Sequence, residues 1–312
     1  MPELPDVVAY INALQARIQG QILKRIRVAS PFLLRSVEPA ISEAEGKRVI
    51  GFHRLGKRIV LEIEGEMFLI LHLMIAGRLH WKSAGIQIPK KYGLAAFDFA
   101  SGTVLLTEAG SKRRVSLHLV RGREALNEHD RGGLEVLDAD LEAFRQVLRR
   151  ENHTLKRALT DPSLFSGIGN AYSDEILHRA RLSPIKLTQR LNEDEIERLY
   201  HAIRNTLLLW IDRLQGDAQK SFPEKVTAFR PGMAVHGRYG KPCLDCGAPV
   251  QRIVYAENEA NYCAQCQTGG RLLADRALSR LLKDDWPRTL EEMEERRNPE
   301  GRPPSGKGRL PV

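Results

Sequence analysis

Four cysteines fall in one window, KPCLDCGAPVQRIVYAENEANYCAQCQTGG: Cys243 and Cys246 form one C-x2-C pair, Cys263 and Cys266 a second, with sixteen residues between them. Each such turn can aim two thiolates at one ion, and the spacing fits a four-cysteine zinc ribbon. Two disulfides are the other use of four cysteines, disfavoured in a reducing compartment. Four sulfur ligands leave no open position for water, so the zinc expected here is structural and holds a small hairpin. Gly247 followed by Gln251–Tyr255 reads as a turn and the first strand of that hairpin.

The chain opens MPELPDVVAY. A small second residue permits removal of Met1, and Pro2 would then carry a free secondary amine, a candidate nucleophile. An α-amino group ordinarily titrates at about 7.7–8.0, so modest burial leaves a useful neutral fraction at pH 7. The plainer use of Pro2 is to start a helix. A third stretch, DPSLFSGIGNAYSDEIL, has Gly167 and Gly169 bracketing a tight turn and Asn170 where a helix begins, so that backbone N–H groups converge as they do on a phosphate. Lys156, fourteen residues earlier, could add charge to the same site. Alternatively, GIGN is only a helix-to-helix turn and Lys156 part of a solvated face.

The elements that must position these groups follow from periodicity. Val7, Val8, Ile11, Leu14 and Ile18 repeat at helical spacing, with Gly20 as the stop. From about 21 to 120 the pattern turns to β-rich runs, ILKRIRV, KRVIGFHRL, RIVLEIEG, MFLILHLMIAGRLHW, AAFDFASG and TVLLTE, which predicts an antiparallel β-sandwich or barrel. Between 139 and 215 helical periodicity returns, broken by Pro162 and Pro184. One more helix is expected over 271–284, and the Gly-, Pro- and Arg-rich end of the chain is expected to be disordered. The fold class expected is α+β: an N-terminal antiparallel β-sandwich with a leading helix over 1–130, a helical domain over 131–235, a four-cysteine zinc finger over 236–270, and a helix with a basic tail over 271–312.

At 312 residues the chain suits two domains and a small module. Lys and Arg outnumber Asp and Glu by 48 to 39, a net charge of +9, which favours a polyanion such as nucleic acid. No run of 18 apolar residues and no secretion signal appear, so the expectation is a cytoplasmic protein with no membrane segment.

Taken together, PELPDV at the start, a lysine in the turn RLGKRI, the turn GIGNAYSDEIL and a terminal C-x2-C-x16-C-x2-C ribbon resemble the formamidopyrimidine-DNA glycosylase and endonuclease VIII family of base-excision repair enzymes, in order and spacing, from Pro2 to about Gln267. The resemblance implies a helix-two-turn-helix DNA-binding domain at 131–235 and a monomer acting on damaged DNA at the nucleoid. It implies that Pro2 attacks the sugar C1′, expels the base and forms a Schiff base that permits strand cleavage by β-elimination. Glu3 matches the family's proton-relaying carboxylate and Lys57 the lysine of the turn that faces the lesion and its phosphate. Lys156 and Asn170, with the Gly167–Gly169 turn, match the positions that grip the DNA backbone.

Several positions depart from the family. Its zinc hairpin carries an arginine five residues before the third cysteine, where this chain has Asn258; Arg252 and Arg271 are the nearby cations. The void-filling methionine is replaced by Ile75, with Met74 beside it, an apolar wedge still. Arg113 and Arg114 are a loose counterpart of the pair that fills the gap opposite the extruded base. The loop QGDAQKSFPEKVTAFRPGMAVHGR lacks the glycine-rich pattern tied to oxidised purines, which leaves the lesion open. The competing functions are a lyase of abasic sites with little base excision and a non-catalytic binder of damaged DNA.

Overall fold

In a computed structural model that describes residues 1–110, 112–224, 226–255, 258–273 and 287–297, the chain begins with a 15-residue helix, α1, Leu4–Ile18. Pro5 sits in its first turn, where a missing N–H costs nothing, and Asp6 closes a capping box by accepting from the Glu3 amide at 2.9 Å. Val7, Ile11, Leu14 and Ile18 of the expected stripe are buried, while Val8 packs on a second core.

Nine strands follow: β1 Ile22–Leu23, β2 Arg25–Val28, β3 Lys47–Leu55, β4 Arg58–Ile63, β5 Met67–His72, β6 Gly77–Lys82, β7 Gly93–Asp98, β8 Thr103–Glu108 and β9 Ser116–Arg121. They form a five-stranded sheet, ordered β1-β3-β4-β5-β9, and a four-stranded sheet, ordered β2-β7-β8-β6, with antiparallel pairing throughout. Their inner faces and one side of α1 share a core that includes Tyr10, Leu14, Leu69, Leu79, Phe97 and Leu117. The expected run MFLILHLMIAGRLHW is two strands, cut by a turn over 73–76 in which Met74 takes a φ of 52°. Gly77 is held against that turn; a Cβ there would come within 2.3 Å of the Leu73 carbonyl oxygen. Strand β9 had no separate turn signal in the sequence, and α2, Arg123–Asn127, is too short to show a period.

The helical region comprises α3 Leu141–Arg149, α4 Leu155–Thr160, α5 Asn170–Arg179 and the 28-residue α6 Glu193–Lys220. Its core joins Phe144, Phe165, Tyr172, Ile176, Leu199 and Trp210, and reaches across to Leu4 of α1. The front end of α1 therefore lies where the two cores meet. Strands β10 Val250–Tyr255 and β11 Asn258–Cys263 form a hairpin, and α7, Ala264–Thr268, completes the ribbon. Most of the helix expected over 271–284, and nearly all of the terminal tail, lie outside the described residues; a helix α8 spans Leu290–Arg297.

Candidate functional site

Glu3 is the N-cap of α1 and is 3% exposed, yet its carboxylate does not cap its own helix with a side-chain bond. It crosses the chain to the start of α5, where Oε2 accepts from the Gly169 amide at 2.6 Å and the Tyr172 amide at 3.2 Å, and Oε1 accepts from the Ala171 amide at 2.8 Å. The sequence led us to expect a phosphate on these amides; instead the anion is internal. A helix N-terminus stabilises negative charge whatever carries it, and a buried carboxylate needs such donors. The two glycines serve this approach. A Cβ at Gly169 would lie 2.5 Å from the Glu3 carboxyl carbon, and one at Gly167, where φ is +80°, would lie 2.8 Å from Leu4 Cβ. The Leu4 amide donates to the Gly167 carbonyl at 2.9 Å, locking the two segments together.

Burial pushes the Glu3 carboxyl above the usual carboxylate range, against the Lys57 charge and the Ala171 and Tyr172 amides, which pull it down. The α-amine at the chain start moves the other way, lowered by burial although Glu3 opposes that shift. That amine belongs to Met1; the Pro2 nitrogen is still an amide, so Met1 stands where a trimmed Pro2 would present its amine. Pro2 itself is buried.

Lys57 occupies the two-residue turn between β3 and β4, with Leu55 paired to Arg58 and Gly56 at a φ of 61°. The hairpin is tied to the helical region by Arg54, which donates to Ser166 Oγ at 3.3 Å and pairs with Glu135, and by Arg58, which donates to the His129 carbonyl at 3.0 Å. Burial lowers the Lys57 ammonium, with Glu3 opposing and Lys156 adding to the shift. Met1, Lys57, Arg58, His72, Arg131 and Gly167 help line one cavity of about 270 Å3 between the sandwich and the helices. His72, which sequence reasoning missed, is pushed down to about 4 by burial and then by Arg58 and Lys57. A lone histidine ending an apolar strand carries no local signal. A larger cavity of about 730 Å3, between α1 and α6, holds none of these groups.

Lys156 is not a solvated cation. Its Nζ donates to the Asn170 carbonyl at 2.6 Å, Ser173 Oγ at 2.8 Å and Asp174 Oδ1 at 2.5 Å, which accounts for all three of its protons. Asp174 in turn meets His236 Nδ1 at 2.8 Å and the Asn261 amide at 3.3 Å, and Glu175 accepts from the amides of Ala234, Val235 and His236. The start of α5 thus fixes Glu3, Lys156 and the entry to the ribbon at once. Asn170 lies on that start, half-buried.

Ile75 is 62% exposed at the tip of the β5–β6 turn. The loop bearing Arg113 and Arg114 lies beside it: Gly77 pairs with Glu108, a Cβ at Gly110 would lie 3.2 Å from Ala76 Cβ, and the buried Glu108 carboxylate accepts from the Arg114 amide at 2.9 and 3.1 Å. The structure brings these three residues into neighbouring turns. Both arginines are exposed, and Arg113 donates to the Lys91 carbonyl at 3.0 Å. Asn258 begins β11, its backbone opposite Tyr255, and its side chain lies outside the described residues. Arg252 lies over the Tyr239 ring, 4.4 Å from its centroid, and pairs with Glu259.

The four cysteine sulfurs all lie within 4.8 Å of one another. Separations of 3.4 Å for Cys246–Cys263 and 3.9 Å for Cys243–Cys266 are far too long for disulfides and bracket the sulfur–sulfur edge of about 3.8 Å in a tetrahedron with Zn–S of about 2.3 Å. The residues therefore fit a structural zinc. His178 of α5 sets Nε2 3.3 Å from Cys243 Sγ, which ties the metal centre to the helix that carries Glu3.

Comparison with known proteins agrees with this geometry. Residues 1–116 match the formamidopyrimidine-DNA glycosylase N-terminal domain, 133–221 the formamidopyrimidine-DNA glycosylase H2TH domain, and 240–269 the zinc finger found in FPG and IleRS. The chain is 31% identical to the formamidopyrimidine-DNA glycosylase of Heliobacterium modesticaldum over 277 residues, covering 86% of this chain and 100% of that protein, and 30% identical to the Thermus thermophilus enzyme over 285 residues with the same coverage. Among solved structures, Lactococcus lactis Fpg in complex with DNA containing an abasic site superposes with a TM-score of 0.75 at 27% identity, covering 85% of this chain and 99% of that one. MutM in complex with DNA containing carbocyclic 8-oxo-G superposes at 0.75 and 27%, covering 86% and 100%. Among the described residues no helix is long and apolar enough to cross a membrane.

Proposed function

Because the chain belongs to the formamidopyrimidine-DNA glycosylase family, we propose that its first two mature residues, Pro2 and Glu3, carry out base excision and strand cleavage on damaged DNA. The protein is a base-excision repair DNA glycosylase that binds damaged DNA and carries a structural zinc. With Met1 removed, the Pro2 nitrogen attacks C1′ of an extruded nucleotide; the new C–N bond replaces the bond to the base, which leaves with a proton. Glu3 protonates the ring oxygen as the sugar opens to the iminium, which acidifies the C2′ hydrogen, and loss of that proton expels the 3′ phosphate.

One observation carries the assignment: a fully buried carboxylate, held by the start of α5, sits one residue from the would-be amine and beside Lys57 in a cleft. Lys57 supplies charge for the lesion phosphate, and Asn170 with the Gly167–Gly169 turn faces the backbone. Lys156, all three of its protons already engaged, acts by setting that turn. Ile75, Arg113 and Arg114 fill the gap left by the flipped nucleotide. We divide the labour as 1–130 for catalysis, 131–235 and the 236–270 ribbon for grip, and 271–312 as an appendage. Since every group of the site comes from one chain, the enzyme works as a monomer at the nucleoid in the cytoplasm. Asn258 replaces guanidinium charge with an amide, so cleavage stops after β-elimination.

The test is mass spectrometry of the mature N-terminus followed by borohydride trapping on damaged and abasic duplexes. A covalent adduct that disappears in Pro2→Gly supports the assignment; a trimmed protein that traps on no duplex defeats it.

A further inference from the structure

Phe229 belongs to the segment between α6 and the ribbon and is 65% exposed, an unusual position for an aromatic ring held so firmly. Its ring stacks on His236, with centroids 5.6 Å apart and planes 16° from parallel. His236 is 5% exposed and fixed by Asp174 through Nδ1 at 2.8 Å, so the inner face of the stack cannot shift. The next residue, Arg230, donates to Asp6 Oδ1 at 2.7 Å, and Asp6 accepts from the Glu3 amide through its other oxygen. Gly237 leaves room for the ring; a Cβ there would meet Phe229 at 2.4 Å. A flat apolar surface is thus built on two buried ionic anchors, one of them a single hydrogen bond from the backbone of Glu3.

We infer that the outer face of Phe229 is the surface on which the extruded base stacks, which makes it a specificity-determining residue for planar bases. The inference rests on the function proposed above. A base is bonded to the same C1′ that the N-terminal amine attacks, so it must lie within one nucleoside of Glu3, and the Phe229–His236 pair is tethered there. Stacking rewards any flat π-face and gives nothing to a saturated, puckered ring. His236 supplies rigidity, and Phe229 the contact.

The experiment compares three duplexes, carrying 8-oxoguanine, 5,6-dihydrothymine or an abasic site, under single turnover. Phe229→Ala is expected to lower 8-oxoguanine excision by about tenfold or more relative to abasic-site cleavage, Phe229→Trp to restore the ratio, and Phe229→Leu to leave it low. Dihydrothymine excision, if present, should change in step with abasic cleavage. Equal losses on the 8-oxoguanine and abasic duplexes mean that Phe229 only holds the loop, and they overturn the inference. So does rescue by leucine, or excision confined to dihydrothymine. A wild-type enzyme that cleaves abasic DNA but excises neither base also overturns it, while leaving Pro2 chemistry intact. Failure to trap any duplex sinks the proposed function itself.

Discussion

The cleft at the front of α1 and the cysteine ribbon solve the same problem, the assembly of like or unlike charges in a small volume, by opposite means. The ribbon gathers four sulfurs within 4.8 Å from a stretch of 24 residues and leaves their charge to a metal. The cleft gathers Glu3, the chain start, Lys57 and the amides of α5 from segments up to 169 positions apart, and balances them with burial and backbone dipoles. A local site can be held by one ion. A site assembled across the chain is held only by the fold, so each of its members also bears on domain packing.

Chelation should separate the two most sharply. Structural zinc in comparable small modules is worth roughly 10–16 kcal/mol, so removing it is expected to abolish amide-exchange protection over residues 240–269. Protection in α1 and the sandwich should persist. Loss of protection in both regions would mean that the His178–Cys243 and Glu175 contacts make one cooperative unit of them.

Glu3→Gln comes next. An amide cannot donate the proton, and excision is expected to fall about 10²- to 10⁴-fold with Tm much less affected. Because burial raises the Glu3 pKa and lowers that of the α-amine from 8.0, the wild-type rate should rise with pH below the ordinary amine range. It should then fall as Glu3 loses its proton. In the variant the falling limb should vanish from the pH–rate profile.

Gly169→Ala drives a methyl into the Glu3 carboxyl, so the carboxylate or the helix must shift. A displacement of about 1 Å costs on the order of 10²-fold in rate, with about 1–3 kcal/mol of stability. Single-turnover rates and urea melts would read the two effects, and an unchanged rate would mean that Glu3 needs no fixed seat.

The smallest effect is electrostatic. Folding takes His72 from about 6.5 to about 4, so the unfolded chain binds more protons between those values. Stability contributed by neutral His72 is full above pH 6.5 and is lost as pH falls toward 4, by about 2–3 kcal/mol. His72→Gln should flatten that part of the stability–pH curve.

Much of this was legible in the sequence, for reasons that the same comparison explains. Cysteine spacing is a local signal, and the zinc centre was readable from it; so were the helical stripe of α1 and the alternation behind the sandwich strands. The break between β5 and β6 was hidden because Leu73, Met74 and Ile75 continue the apolar run, and the turn depends on a left-handed Met74 that no turn residue announces. GIGN was readable as an anion site from its glycines and helix start. That its anion is Glu3 was not, since no local pattern links positions 3 and 169. His72, His236 and Phe229 matter through partners distant in the chain, and each alone resembles an ordinary strand or loop residue.

The bond between Glu3 and α5 also orders events during synthesis. The first residues of the nascent chain find their seat only after residues 169–172 have left the ribosome. At about 5–20 residues per second, that is roughly ten to thirty seconds. Throughout that interval the front of the chain is unanchored and open to the aminopeptidase that must trim it; once α5 docks, Pro2 is enclosed. A protein that folded its beginning first would bury its methionine and lock its own nucleophile away.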